Sequence, residues 1–281
     1  MLRLSPALGA AWEGKGSGRI VSARASRAFF AVQAVLFGAS AAATFAWSAS
    51  MSAMGGMPMP GGWTMSMAWI RMCGQTWPGA AASFLGMWVV MMTAMMLPSL
   101  VPMLWRYRRA LDCTAGARAE PLTAFVGAGY FCVWTLIGLA VFVLGSALAT
   151  VSMQLPALSR AVPGAVVAVV LAAGALQFTA WKARHLAACR EAPDPDPASP
   201  AGAWAAWRHG LGLGIRCGCS CAGPVAVLLV WGVMDLRAMT VVTLAVTAER
   251  LAPGGAQVAR AIGAILILAG LFLLGRASWV G

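Results

Sequence analysis

From Phe29 to Leu274 the chain is a succession of long apolar runs separated by short basic connectors, a pattern that leaves few folds open. A helix needs about 20 residues to cross hydrocarbon. Phe29 to Ala49, Gly79 to Leu104, Leu122 to Ala149 and Ala161 to Trp181 all reach that length, and Leu211 to Val233 does so with Arg216 near its start. Arg237 to Leu251 and Ala261 to Leu274 are shorter. Backbone groups cannot stay unpaired in lipid, so runs this long without polar alternation are helices and not strands. The expected fold is all-α, a polytopic transmembrane bundle of six to seven helices. Charged residues are only 10% of the chain, against about 25% in a soluble domain.

The charges are unequal, 20 Lys and Arg against 8 Asp and Glu, but they lie between apolar runs and not in one patch. That placement speaks against a nucleic-acid partner and for the lipid bilayer. Arg3, Lys15, Arg19, Arg24 and Arg27 precede the first run. Arg106, Arg108, Arg109 and Arg118 follow the second, Lys182, Arg184, Arg190 and Arg208 the fourth, and Arg250 and Arg260 the sixth. The intervening connectors hold Arg71, Arg160 and Arg237 singly, so a cytoplasmic N-terminus is expected. Arg276 would fall outside after seven crossings, which weighs against that count. The expected organisation is a basic cytoplasmic segment, 1–28, and a helical domain, 29–274, whose 50–78 stretch is an external loop rich in Met and Gly. The first run also has the features of a cleavable signal sequence, although its length and extended basic region favour a retained helix.

Sulfur is distributed as unevenly as charge. Thirteen of the seventeen methionines fall between Met51 and Met103. Met51, Met54, Met57, Met59, Met65 and Met67 stand in the external loop, with Met72 beside Cys73. Thioether sulfur is a soft, neutral donor suited to Cu(I), and it persists where thiols oxidise. The loop is therefore a candidate for recruiting copper outside. The bland alternative lays the methionines on the membrane surface with Trp63, Trp69 and Trp77. In the second helix, Met91 and Met95 share a face with Met87, and Met92 and Met96 form the adjacent stripe. Pro98 and Pro102 withhold backbone donors there, so a kink at Pro98 is expected.

The seven cysteines make an odd count in apolar surroundings, unlike a secreted disulfide framework. Three stand in CGCSC, as Cys217, Cys219 and Cys221. At 1.5 Å per residue they lie about 9 to 15 Å into their helix, Cys132 of the third helix about 15 Å into its own, and Met91 to Met96 at a similar level. Three helices can thus bring sulfur to one layer. Cys217 and Cys221 face one way and Cys219 nearly the opposite way, unless Gly218 and the Gly223–Pro224 pair open the backbone. Two thiolates with a thioether or Cys132 make a low-coordinate Cu(I) site, whereas structural zinc wants four ligands. Arg216 is placed to steady thiolate charge, or to reach the headgroups. The bland reading of all these side chains is small apolar packing.

Other polar residues read more simply. His185 and His209 sit in basic juxtamembrane stretches, DPDPASP at 194–200 reads as a rigid connector, and Gln177 is a buried amide in need of a partner. Asp235 and Glu249 bracket the short sixth run, where Arg237 and Arg250 are their expected partners.

WVVMMTAMMLPSLVPML at 88–104, AGALQFTAWKARHLAACREAP at 173–193 and GIRCGCSCAGPVAVLLVWGVMDLRAM at 214–239, with Glu249 beyond, resemble a bacterial family of integral membrane proteins predicted to bind metal. The resemblance covers roughly residues 80 to 250. It implies a bacterial inner-membrane location and adds Gln177, Lys182, Cys189 and Glu249 to Met91, Met92, Met95, Met96, Pro98 and Cys217 as family positions. The family's cysteine cluster is similar to CxGCCxxLM, where this chain has CGCSCAGPV.

Three function classes follow. The first is a soft-metal protein, with copper as its metal, that binds or transfers the ion through Met and Cys ligands and works with a periplasmic metal donor. The second is a membrane thiol or copper-dependent oxidoreductase subunit with a redox partner. The third is a structural subunit of a homo- or hetero-oligomeric membrane complex. No GxxxxGK[ST] phosphate loop is present, so transport would draw on a gradient or a partner.

Overall fold

The structure, a computed structural model, describes residues 7–71, 74–112, 118–190 and 202–280. Met72, Cys73 and the DPDPASP connector lie outside the described residues. The elements are α1 (Ala7–Met54), β1 (Gly56–Met59), β2 (Trp63–Ser66), a single 3-10 turn (Met67–Trp69), α2 (Trp77–Asp112), α3 (Ala119–Gln154), α4 (Pro156–Leu176), α5 (Ala180–Arg190), α6 (Ala203–Trp231), α7 (Leu236–Leu251) and α8 (Gly255–Val280). This is an all-α bundle carrying one small hairpin. Among the described residues six helices are long and apolar enough to cross a membrane: α1 from Arg24, α2, α3, α4, α6 and α8. The run 261–274 is thus part of a full-length helix. The run 237–251 forms most of α7, which has 16 residues.

Several boundaries differ from those expected. The backbone is helical from Ala7 to Met54, so α1 starts well before Phe29 and extends into the expected loop. The fourth run divides in two. The Gln177, Phe178 and Thr179 amides bond to carbonyls three residues back, ending α4, and Thr179 Oγ1 then accepts from the Lys182 amide to start α5. This turn brings Gln177 and Lys182 inward. α2 continues through Pro98 and Pro102, and α6 through Pro224.

Burial ranks the helices. The apolar window of α2 is 56% buried and that of α6 50%, against 11% in α1 and 17% in α8, so α2 and α6 are central and α1 and α8 peripheral. Large apolar side chains such as Leu139, Leu144, Leu148, Leu268 and Phe272 point outward. α3 lies along α6, α4 along α8, and α2 between α1 and α3. Helices in an apolar medium gain little from hydrophobic burial against each other, so close backbone approach matters more. Glycine provides it here. A Cβ on Gly210 would drive into the Val126 backbone, and one on Gly129 into the Trp207 carbonyl. Trp88 fills the groove over Gly138 and donates its indole N–H to the Trp134 carbonyl at 2.8 Å, locking α2 to α3.

The two ends of the bundle differ. At one end β1 and β2 pair antiparallel with Met57 opposite Met65 and Met59 opposite Trp63, through a turn in which Gly61 and Gly62 take positive φ. Trp63 Nε1 donates to the Ser159 carbonyl at 2.9 Å and Ser159 Oγ to the Pro60 carbonyl at 2.8 Å, pinning the hairpin to the start of α4. At the opposite, basic end the buried Arg108 donates to the Ala25 carbonyl at 3.0 Å and pairs with Glu120 at 2.9 Å, tying α1, α2 and α3. α7 links the two levels. Ser48 near the end of α1 donates to the Met234 carbonyl just before α7, while Glu249 near its other end meets Gln177. Asp235 caps its first turn by accepting from the Ala238 amide at 2.9 Å.

Gly210→Val is expected to cost about 1–3 kcal/mol by overpacking the α3–α6 contact. Gly212→Ala, whose added carbon meets nothing within 4 Å, should leave stability unchanged or slightly higher. Melting temperatures of the two detergent-solubilised variants check this.

Candidate metal centre

Near the middle of α6 the helical period sorts the three cysteines onto two faces. Cys217 and Cys221 are four residues apart and fully buried, whereas Cys219 points away and is half-buried. The helix does not open to gather all three. Gly223 serves contact with α4, where an added Cβ would lie 3.3 Å from the Ala173 carbonyl. Cys132 of α3 is also only half-buried. Among the described residues no hydrogen bond joins either of them to the buried pair, and helix phase turns Cys219 away from it.

Met96 comes from α2 to the buried pair. Its Sδ is 3.9 Å from Cys217 Sγ, and the two thiol sulfurs are 4.0 Å apart. Two sulfurs at that separation, each about 2.3 Å from a shared ion, subtend about 120° at it, a trigonal arrangement. Met91, Met92 and Met95 are buried as well and belong to the same continuous core. Tyr130 of α3, at 1% exposure, places its hydroxyl 2.8 Å from Cys217 Sγ. Among the described residues no three His, Cys, Asp or Glu side chains are grouped to hold an ion. The soft donors that meet here are two thiols and a thioether.

The cation at the cysteines comes from α7 and not from the neighbouring Arg216. Arg250 Nη2 lies 3.6 Å from Cys221 Sγ, 3.8 Å from Cys189 Sγ and 3.2 Å from Ser220 Oγ, and Nη1 donates to Ser99 Oγ at 3.1 Å. Arg216 sits one residue, or about 100°, round the helix from Cys217 and is half-buried. Ser220 joins the parts, because its hydroxyl also donates to the Cys217 carbonyl and stands 3.6 Å from Cys189 Sγ. Burial pushes the Cys189 thiol up from its ordinary pKa, outweighing the pull of Arg250.

A second polar layer lies behind the first. Lys182 Nζ pairs with Glu249 Oε2 at 2.6 Å and donates to the Ser220 carbonyl, and Gln177 Nε2 donates to Glu249 Oε1 at 2.9 Å. Lys182 and Glu249 are 2% and 1% exposed. Glu249 therefore pairs with Lys182 and not with the arginine beside it, and Asp235 is a helix cap and not a partner of Arg237. Gln177, Lys182, Cys189 and Glu249 all lie at or directly behind the sulfur group. Tyr130, Ser99 and Ser220 were not singled out by sequence, and Arg250 was read there only as a partner of the carboxylates. The one available signal was the Glu249–Arg250 pair at the end of the uncharged stretch TVVTLAVTA.

The histidines are elsewhere. His185 packs edge-on to Trp181 and His209 stacks on Tyr107. The loop methionines divide between two settings. Met59 and Met65 are buried on the inner face of the hairpin against Ala149, with Met57 packed beside them. Met51, Met54 and Met67 face a separate cavity, together with Met87.

The model of the PpoB2 copper chaperone family matches residues 85–273. The chain belongs to this family. Membership makes copper its metal, and the matched region runs from α2 into α8, taking in every residue of the sulfur group and of the polar layer behind it. Comparison with curated proteins and with solved structures found no match.

Removing one partner from the buried ion pair exposes the other, a loss typically of about 3–5 kcal/mol. Glu249→Ala is expected to lose folded protein on that scale, and Lys182→Met combined with Glu249→Leu to recover much of it. Size-exclusion recovery and thermal melting of the three proteins check the ordering.

Proposed function

We propose that the protein is an integral membrane cuprous-ion chaperone in which Cys217, Cys221 and Met96 hold the ion and release it by ligand exchange. The observation that carries this reading is the convergence of two thiols and a thioether, with sulfur separations of 3.9 and 4.0 Å, in a fully buried pocket beside a guanidinium. Soft sulfur in low coordination number suits Cu(I). Loading exchanges two thiol protons for one Cu(I), leaving a bis-thiolate complex of charge −1.

Charge supports the monovalent ion. Lys182 and Arg250 bring two positive charges to the buried region and Glu249 one negative charge, so one positive charge remains over. A cuprous bis-thiolate offsets that surplus, whereas a divalent ion on the same ligands forms a neutral complex and leaves it standing in a poor dielectric. Arg250 and Tyr130 thus act on the sulfur ligands without replacing them. Three-coordination leaves room for an incoming donor, so copper can leave without first losing a ligand.

The bundle is placed in the bacterial inner membrane, with the Arg108 and Arg190 end cytoplasmic and the hairpin end periplasmic. The six apolar helices and the clustering of basic residues at one end support this placement. Lipid is then its surroundings, and a periplasmic metal donor its expected partner.

The test is Cu(I) stoichiometry and affinity on purified full-length protein. Cys217→Ser and Cys221→Ser should each abolish tight binding, Cys132→Ser and Cys219→Ser should leave it unchanged, and Arg250→Gln should weaken it about 10- to 100-fold, as loss of an outer-shell partner does. Equal binding by wild type and the Cys217→Ser/Cys221→Ser double variant would remove the proposal.

A further inference from the structure

The bundle has a second concentration of sulfur, at its hairpin end. A cavity of about 270 Å³ opens there between the end of α1, the 3-10 turn and the start of α2. Met51, Met54, Met67 and Met87 line it, with aromatic walls that include Trp47, Trp69 and Trp77. Among the described residues its lining holds no carboxylate, imidazole or thiol. The single charged side chain in the wall, Arg71, has its guanidinium 5.1 Å from the centre of the Trp77 ring and is engaged there. A hard cation meets only the neutral oxygens of Ser50, Gln75 and Ser83 there, with no carboxylate among the described residues to hold it, and four neutral thioethers suit a soft monovalent ion. Trp77 and Met54 are 51% and 46% exposed, so the cavity is reached from outside the bundle.

Its floor leads inward. Met87 belongs both to the cavity wall and to the continuous core that contains Met91, Met92, Met95, Met96, Cys217 and Cys221. Met87, Met91 and Met95 succeed each other every four residues, a rise of about 6 Å per step, and Met87 stands about 14 Å along α2 from Met96. We propose that this cavity is a distinct cuprous-ion entry site, from which copper passes along the thioethers of α2 to the Cys217–Cys221 pair. The proposal rests on the cuprous reading of that pair and adds to it a second site with its own ligands. Met51, Met54 and Met67 precede the family-matched residues, which begin at 85, so three of the four cavity thioethers lie outside the matched region and Met87 joins them to it. The ordering of donors gives the transfer a direction. Neutral thioethers bind Cu(I) more weakly than a thiolate pair, so the ion runs downhill from cavity to cysteines. Met57, Met59 and Met65, which face inward under the hairpin, have no part in it.

The experiment titrates full-length protein in detergent with silver(I), a redox-stable stand-in for Cu(I), and follows the loading rate of Cys217 and Cys221 with Cu(I) itself. Wild type should take up one tight and one weaker silver ion. Met51→Leu/Met54→Leu/Met67→Leu, which conserves volume, should lose the weaker ion, keep the tight one and load the cysteines several-fold more slowly. Cys217→Ser/Cys221→Ser should keep the weaker ion, and Met57→Leu/Met59→Leu/Met65→Leu should behave as wild type. Unchanged silver count or unchanged loading in the first triple variant overturns the entry site while leaving the cysteine site standing. A wild type that retains only the weaker ion would instead remove the cysteine reading.

Discussion

The buried Lys182–Glu249 pair is the constraint on which the centre of this molecule depends. It joins α5 to α7, reaches α4 through Gln177, and is fixed to α6 by the bond from Lys182 to the Ser220 carbonyl. Four helices are thereby set in register just behind the sulfur group. Two ions taken out of water contribute little net stability on their own. What the pair supplies is position. With Glu249 held, the next residue of α7 directs its guanidinium between Cys221, Cys189, Ser220 and Ser99, and the cation cannot withdraw to the headgroups as a free arginine would.

That arrangement explains why so polar a cluster survives in a chain this apolar. Each hydrogen-bonding group links helices that share no large hydrophobic driving force for association in an apolar medium. Small residues do the rest, with Gly129 and Gly210 letting α3 and α6 approach until Tyr130 meets Cys217. The order of causes runs from glycine spacing, through helix proximity, to the surroundings of one sulfur atom.

Much of this was legible in the sequence. Run length gave the helical bundle, and helical period separated Cys219 from its neighbours before any coordinates did. Family resemblance brought Gln177, Lys182, Cys189 and Glu249 together as a set, although it could not say that three of them form one hydrogen-bonded layer. Arg250 read only as a partner for the neighbouring carboxylate, because a charge at the end of a short apolar run gives no sign that it turns toward cysteines on another helix. Arg216 drew attention by adjacency in sequence, which on a helix turns a side chain about 100° away. The loop methionines read as one group because spacing carries no information on which side of a hairpin a residue faces. The pairing of Met57 with Met65 and of Met59 with Trp63 turns three of them inward.

The division of sulfur between thioether and thiol follows from what a chaperone must do. A site built only from thiolates would hold copper tightly and give it up slowly, and one built only from thioethers would lose it to any competing thiol. In the proposed centre two thiols of α6 would define the resting place, and the third donor, Met96, comes from a different helix. The thiolates stay fixed four residues apart on one helical face, while the thioether contact depends on the distance between α2 and α6. A small change in that spacing would take the ion from three-coordinate to two-coordinate without disturbing either thiolate. Under that proposal retention and release would be governed by separate structural variables, the period of one helix and the packing of two.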